Sequence, residues 1–575
     1  MGRPDKDSMS LPPNILDRVD RVYAHHRVTR LVYSGRPLAA ESVHAPVPRA
    51  CFPQQPITRL PTTLLDAPLG VLSVLESSLE SLPDSFISPP QTLKTLASWL
   101  FLADGVIRRE RGDRRSVERR TCDGTAGLYP FEIYIAAFAI QDLEPGLYHY
   151  DARTFALSRL RDGAETLALL KRGRPDLEFV KRAPAAILVS SLYSRASWEH
   201  GDRGYRAALV DTGQVVQNLM TTAGGLGIQA LARLRMTDST MRELIGLAAQ
   251  AEYDDEESVQ AMVVWADRTQ VEASVSSMRV REPAASKWRA ESAQPVPGIN
   301  VGAAAVASLT VTDLMLPSLN REMMPPLLRA PFQQKVVERP SILSVHRDCV
   351  APGVAVREIR PPLTELSPMP DGFQAARMTA KVPHDKGVPL RSVLLEMAGP
   401  QHFDREPISR DIFRSINQLA FRGGTFFPLF PEGVHAALIR PFWVIHHVSG
   451  MDSGIWFYRA DNDGWCLLRP ADFHLETMYL AAENELFGSA SAVCFMVANL
   501  HALMTQAGPD TYRLAHLEAG TISQRLSLAA RGFKLGSKAT VRFFDDELKL
   551  FLGLEKTGWE PLAAVALGVP TLTSP

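Results

Sequence analysis

The chain has 575 residues, with 62 Lys plus Arg against 63 Asp plus Glu, a formal net charge of −1, 46% hydrophobic and 22% charged residues. That length passes the roughly 250–300 residues at which one hydrophobic core stops growing, so at least two domains are expected; the balanced charge gives no reason for nucleic acid or an anionic membrane as partner. The five cysteines (Cys51, Cys122, Cys349, Cys466, Cys494) are scattered without a C-x-x-C, which argues against a disulfide framework or a zinc site and for a reducing, cytoplasmic setting.

Apolar spacing at Leu16, Val19, Val22 and Tyr23 predicts a helix over 14–30, and the start of the chain has no apolar run of the kind a secretory signal needs. A Pro- and Ser-rich connection leads to about residue 90. Thr92 to Asp104 reads as a helix with Leu93, Leu96, Leu100 and Phe101 on one face and Gly105 as its stop. The basic run 108–120 is punctuated by acids and reads as a solvated loop. Thr121-Cys-Asp-Gly-Thr-Ala-Gly-Leu-Tyr-Pro is a small-residue loop ahead of a strand over 131–140; its glycines let backbone N–H groups approach a planar or anionic ligand closely. A hairpin through 146–150 and 156–161, a strand over 184–191 and a long helix over 205–226 follow. A strand over 228–234, a helix over 238–247 with Asp238 as N-cap and a strand over 259–265 complete the first unit.

From 268 to 380 prolines fall among Ala, Ser and Arg, the composition of a linker that is partly ordered at best. A second set of elements follows: helices over 409–420, 511–530 and 545–552, and strands around Trp443 and Trp456 and over 492–498, 537–543 and 562–567. Without strict βαβ alternation the class is α+β. The adjacent pairs His25-His26 and His446-His447 are set aside as metal ligands, because neighbours on a strand point to opposite faces, and no metal site is expected.

The chain also repeats itself. Tyr205/Tyr512, Arg206/Arg513, Gly213/Gly520, Gln217/Gln524, Leu219/Leu526, Gly225/Gly532 and Asp238/Asp545 coincide at a constant separation, that of 205 from 512, which holds without a gap to Leu247 and Leu554. A period that long means two similar domains, not a solenoid of short units.

These residues resemble the nitroreductase-like flavoproteins, in particular the branch of SagB-type dehydrogenases that includes thiazoline and oxazoline oxidases. The likeness is carried by Tyr23-Ala-His-His-Arg-Val-Thr-Arg, by the loop 121–130 with Phe131-Glu-Ile-Tyr, and by Gly201-Asp-Arg-Gly-Tyr-Arg through Leu219. In the second half it is carried by 512–554, Leu390-Arg-Ser-Val and Gln401-His-Phe-Asp-Arg-Glu-Pro-Ile-Ser. The resemblance implies two tandem nitroreductase-like, FMN-binding α+β domains forming an intramolecular pseudo-dimer. The expected boundaries are a lead-in over 1–90, domain 1 over 91–267, the linker over 268–380 and domain 2 over 381–575.

The first half keeps the small-residue loop without an Arg-Ser opening; the second keeps Arg391-Ser392, but its loop, Gly424-Thr-Phe-Phe-Pro-Leu-Phe-Pro, is bulky. The resemblance therefore implies one composite FMN site and one decayed site. Arg391, Ser392 and His402 would hold the phosphate, while Gly536, Ser537 and Lys538 would line the flavin. Thr125, Ala126 and Gly127 would close the site from the first half. The Lys-Tyr pair that azoline oxidases carry ahead of Gly-(Glu/Asp)-Arg-Gly-Tyr-Arg is here Glu199-His200, the candidate base. The implied activity is FMN-dependent oxidation of a peptide or peptide-derived natural-product intermediate, with partner enzymes of a biosynthetic cluster. The alternatives are a flavin-free scaffold and an NAD(P)H-dependent nitro- or quinone reductase.

Overall fold

The computed structural model describes residues 12–32, 52, 55–67, 69–77, 88–111, 116–124, 127–173, 182–234, 238–245, 257–266, 339–349, 376–377, 388–396, 400, 402–421, 438–460 and 463–571. In chain order the first unit comprises α1 (Pro13–Val28), β1 (Ile57–Arg59), α2 (Val71–Ser77), α3 (Leu93–Asp104), β2 (Val106–Arg111), β3 (Ser116–Arg120), β4 (Phe131–Ala137), β5 (Gly146–Asp151) and β6 (Ala156–Asp162). It continues with α4 (Gly163–Gly173), β7 (Ala185–Leu192), α5 (Tyr193–His200), α6 (Gly204–Gly225), β8 (Ala230–Leu234), α7 (Asp238–Leu244) and β9 (Glu257–Trp265). The second comprises α8 (Pro340–Cys349), β10 (Ala376–Arg377), α9 (Leu390–Leu395), β11 (Phe403–Asp404), α10 (Arg410–Phe421), β12 (Arg440–Ile445), β13 (Gly454–Arg459), β14 (Gly464–Pro470) and α11 (His474–Leu480). After these come α12 (Glu485–Ser489), β15 (Ala492–Ala498), α13 (Leu500–Ala507), α14 (Thr511–Gly532), β16 (Gly536–Thr540), α15 (Asp545–Phe551) and β17 (Glu560–Pro570).

Each unit is built on one antiparallel sheet. The order β6-β5-β4-β7-β9-β8 in the first recurs as β14-β13-β12-β15-β17-β16 in the second, with β1 and β10 at corresponding edges. Both sheets are buried on both faces. Along β12, Trp443 and Ile445 enter the large central core while Phe442 and Val444 pack on the outer side, the two-residue alternation of a strand. The central core runs through both units.

The units meet along α6 and α14, and the repeated residues make the contact. A Cβ on Gly213 would lie 2.1 Å from the Leu517 carbonyl oxygen, and one on Gly520 would lie 2.0 Å from that of Val210. Only glycine lets the two backbones approach this closely. Tyr205 and Tyr512 stack at 6.2 Å. Arg206 donates to Asp545 at 3.0 Å, and its counterpart Arg513 donates to Asp238 at 3.1 Å, so each repeat's arginine reaches the other unit's aspartate.

The lead-in segments are exchanged as well. Tyr23 and Arg30, in and just after α1, bond Glu560 of β17 at 2.8 and 2.7 Å, and His26 meets Tyr512. In return α8 places His346 beside Tyr193 and Tyr205, and the N–H of Leu390 in α9 donates to the Leu69 carbonyl.

Most expected elements form at the expected places, among them α1, α3 and both long helices. In α3 the Thr92 side chain accepts from Thr95 N and Gly105 ends the helix. Three expectations need correction. The run 108–120 is no solvated loop: it forms the β2–β3 hairpin, and Arg120 is buried with ion pairs to Asp104 and Glu118 at 2.8 and 3.3 Å. The segment read as linker contains α8, whose Ile342, Val345 and Cys349 are buried. Asp238 begins α7 as expected, but its carboxylate is held by Arg513 across the units.

Candidate functional site

The loop between β3 and β4 is held from several sides. Thr121 Oγ1 donates to the Phe101 carbonyl at 3.0 Å and accepts from Gly105 N at 2.9 Å, while Asn218 of α6 donates to the Thr121 carbonyl at 3.1 Å. Gly127 adopts φ 62° and Tyr129 φ 47°. The left-handed region costs a non-glycine residue roughly 1–2 kcal/mol, so surrounding contacts must enforce it. They do: Tyr129 Oη accepts from Arg120 N and donates to the Glu118 carbonyl, both at 3.2 Å, and its carbonyl accepts from Arg195 at 2.6 Å. Arg195 is in turn paired with Glu132, which also bonds His149 at 2.8 Å. This buried network holds the Glu132 carboxyl down to about 2 against the opposing effect of burial.

Against the fixed loop lie the last turn of α14 and the strand β16, from the other unit. Arg531 donates to Asp123 Oδ1 at 3.4 Å and to the Glu396 carbonyl, at the end of α9, at 3.1 Å. Lys538 sits beside Asp123, Asp211, Arg119 and Arg531; burial holds its ammonium below the ordinary lysine value, the two arginines add to this and the two aspartates oppose it. The Gln214 amide, with its nitrogen turned toward them, donates to Asp211 Oδ1 at 3.2 Å and the Asp123 carbonyl at 3.0 Å.

Three donors of the second unit, the Ser537 hydroxyl, Nη2 of Arg391 and Nε of Arg531, have no partner among the described residues and are all buried. Arg391 otherwise reaches Asp66 of the first unit at 3.6 Å. Buried donors are normally satisfied, and unsatisfied ones are where an anion with several acceptor oxygens would fit.

The sequence-predicted residues divide accordingly. Lys538 meets the β3–β4 loop at Asp123, with Arg531 bridging Asp123 to the Glu396 carbonyl; Arg391 is buried and faces Asp66, and Ser537 is buried on the strand beside Lys538. Ser392 lies half-buried beside Arg391 on α9. Gly536 is small for another reason, since a Cβ there would meet Phe403 and Pro400 at 2.9 and 3.0 Å. His402 is exposed, and the contact it makes through its carbonyl is to Thr571 N at 3.2 Å. Gly127 is in the loop, while Thr125 and Ala126, like the bulky loop 424–431, lie outside the described residues. Glu199 and His200 end α5. Glu199 is ion-paired at 3.0 Å with Arg542, two residues past the end of β16.

Asp123, Asp211, Arg119 and Arg531 were missed. The repeat register carried a usable signal. Glu518 stands at the position of Asp211, whereas Leu231 stands at that of Lys538 and Gly224 at that of Arg531, so the two clefts cannot be equivalent. In the second cleft Glu518 accepts from Leu438 N at 2.8 Å, its other oxygen has no partner among the described residues, and burial pushes the carboxyl up to about 8.

The strand argument against the histidine pair also fails. β12 ends at Ile445, and both His446 and His447 turn their rings against His474. No helix among the described residues is long and apolar enough to cross a membrane.

The profile of the nitroreductase family matches residues 125–264 and 400–569, together just over half of the chain. A protein from Methanocaldococcus jannaschii named as a nitroreductase is 31% identical over 164 residues, spanning 28% of this chain and 77% of its own. A crystal structure from Anabaena variabilis, also titled as a nitroreductase, superposes on 96% of this chain and 99% of its own at 20% identity and TM-score 0.66, a likeness of fold. The chain belongs to the nitroreductase family.

Proposed function

From that membership we propose that the chain is an FMN-dependent oxidoreductase of the SagB type, folded as an intramolecular pseudo-dimer with one working composite site. The observation that carries the proposal is the meeting of Lys538 and Arg531 from the second unit with Asp123 of the first, together with the buried donors of Arg531, Ser537 and Arg391 in the second unit that stand unsatisfied among the described residues. The matched sheet orders and the crossed Arg206–Asp545 and Arg513–Asp238 pairs support the pseudo-dimer.

When bound, FMN would accept a hydride from a substrate C–H bond, as the adjoining C–C or C–N single bond becomes double, and pass the electrons to oxygen or another acceptor. The unsatisfied donors of Arg391, Arg531 and Ser537 would hold its phosphate and polar edge, with Lys538 supplying positive charge. Gly127, at φ 62°, would present its backbone to the flat ring, while Gly124 is packed against the Tyr129 ring. Substrate oxidation also releases a proton, and Glu199 or His200 is the proposed acceptor; Glu199 would first have to leave Arg542. The substrate class we propose is a peptide or peptide-derived intermediate, on the strength of the SagB-like motifs.

The second reading, a flavin-free scaffold for partner enzymes of a biosynthetic cluster, is favoured by the carboxylates of Asp66, Asp123 and Asp211, which already face the cations. Visible absorption of the purified chain and quantification of flavin released on denaturation separate the two. One FMN per chain supports the composite site, and two would break the argument for a single one. None, even after incubation with excess FMN, leaves the scaffold.

A further inference from the structure

The second unit holds an imidazole cluster that the proposed redox chemistry does not use. Past the end of β12, the backbone N–H groups of His446 and His447 both donate to the Ser491 carbonyl, at 3.0 and 2.9 Å, and the chain turns there. The rings of His446 and His474 stack with centroids 4.0 Å apart and 18° between their planes; the His447 ring lies 4.9 Å from that of His474. His446 is 3% exposed, yet neither of its ring nitrogens has a hydrogen-bond partner among the described residues, nor does the buried Nε2 of His447.

His474 shows what such a cluster could hold. Its Nδ1 lies 2.6 Å from the Gly488 carbonyl, which can only accept, so Nδ1 carries a proton and the neutral ring has its lone pair on Nε2. That nitrogen faces Asp472 Oδ1 at 3.6 Å. A lone pair opposite an anionic oxygen is repulsive unless a proton or a metal cation lies between them. Fixing the far nitrogen on a backbone carbonyl is also how metal-binding histidines are oriented. Asp472 is placed by a further bond, its Oδ1 accepting from His474 N at 3.2 Å. The donor atoms of His446, Asp472 and His474 all lie within 4.8 Å of one another.

We propose that His446, His474 and Asp472 form a site for a divalent transition metal of the zinc class. Imidazole and carboxylate donors suit Zn2+, Co2+ or Ni2+ better than the all-oxygen shells of Ca2+ or Mg2+. Bonds of about 2.0–2.2 Å require the donors to close on one another by side-chain rotation. Arg405 is the cation that opposes the site. The metal would tie the turn after β12 to the start of α11, on the second unit alone.

The full chain, stripped with EDTA and dialysed, is titrated with Zn2+ by calorimetry and with Co2+ by visible absorption. We expect one ion per chain, a visible Co2+ band and a rise in Tm with Zn2+. Asp472 is largely exposed, so Asp472→Asn leaves the fold intact and should weaken binding by at least ~10-fold, as loss of one ligand or its support does; His446→Gln with His474→Gln should abolish it. Substoichiometric binding overturns the proposal. So does an Asp472→Asn variant that binds as tightly as the parent, whether or not the histidine variant folds.

Discussion

Lys538 and Leu231 occupy one register position in the two repeats and see different surroundings: the lysine is flanked by Asp123 and Asp211, while the leucine is buried in the first unit's β8. Replacing the lysine by its counterpart, Lys538→Leu, should lower FMN affinity at least ~10-fold, since a charge-assisted contact is worth about 1.5–3 kcal/mol. Flavin retention through gel filtration reads the change, and retention equal to the parent's would remove Lys538 from the site. Glu518 allows a second test. Its carboxyl is carried from 4.5 to about 8 by burial, so the folded chain binds the proton more tightly than the unfolded one. The stability this contributes is complete below pH 4.5 and lost as pH rises to 8. Glu518→Gln keeps an acceptor for Leu438 N without the titration. Its advantage over the parent should grow across that window to ~2–5 kcal/mol. The lowered pKa values of His25, His446 and His516 give the opposite slope below 6.5, so the comparison is made as the difference between the two proteins in urea unfolding at several pH values.

At the scale of elements, the tightest approach at any described glycine is between α6 and α14 at Gly213 and Gly520. A methyl group at position 520 would stand 2.0 Å from a backbone oxygen, with no flexible side chain to give way. Gly520→Ala should therefore cost at least ~1–3 kcal/mol, read as a lowered urea midpoint; an unchanged midpoint would mean that the helices can slide apart freely. The glycines were legible because the repeat aligned them. So were α3, with its Thr92 cap and Gly105 stop, and the strands, whose apolar runs are short and flanked by turns. The hairpin β2–β3 was not, because charge alone makes 108–120 look solvated; Arg120 is buried only because Asp104, on a different element, meets it. Of the residues in the proposed site, Arg391 and Lys538 were legible in the sequence. Asp123 and Arg531 escaped because their pairing crosses 408 positions of sequence, which no local pattern records.

At the scale of the whole molecule, neither half completes its own surface. α1 precedes the first sheet yet bonds Glu560 of the second, and α9 precedes the second sheet's main strands yet packs its Leu390 where a Cβ on Gly225 would stand, in the first unit. Asp545 is buried beneath Arg203 and Arg206, and Asp238 beneath Arg513, so separating the units strands charges on both sides. Expressed apart, residues 1–300 and 301–575 should each be insoluble or aggregated. Expressed together they should copurify as a one-to-one complex, since the contacts between the units do not depend on an unbroken chain. Size-exclusion chromatography with light scattering distinguishes the cases. Two soluble, monomeric halves that ignore each other would refute the interlocked arrangement, and with it the composite site that depends on it. A one-to-one complex that binds FMN only when both halves are present would locate that site across the boundary between them, where the loop of one unit meets Lys538 of the other.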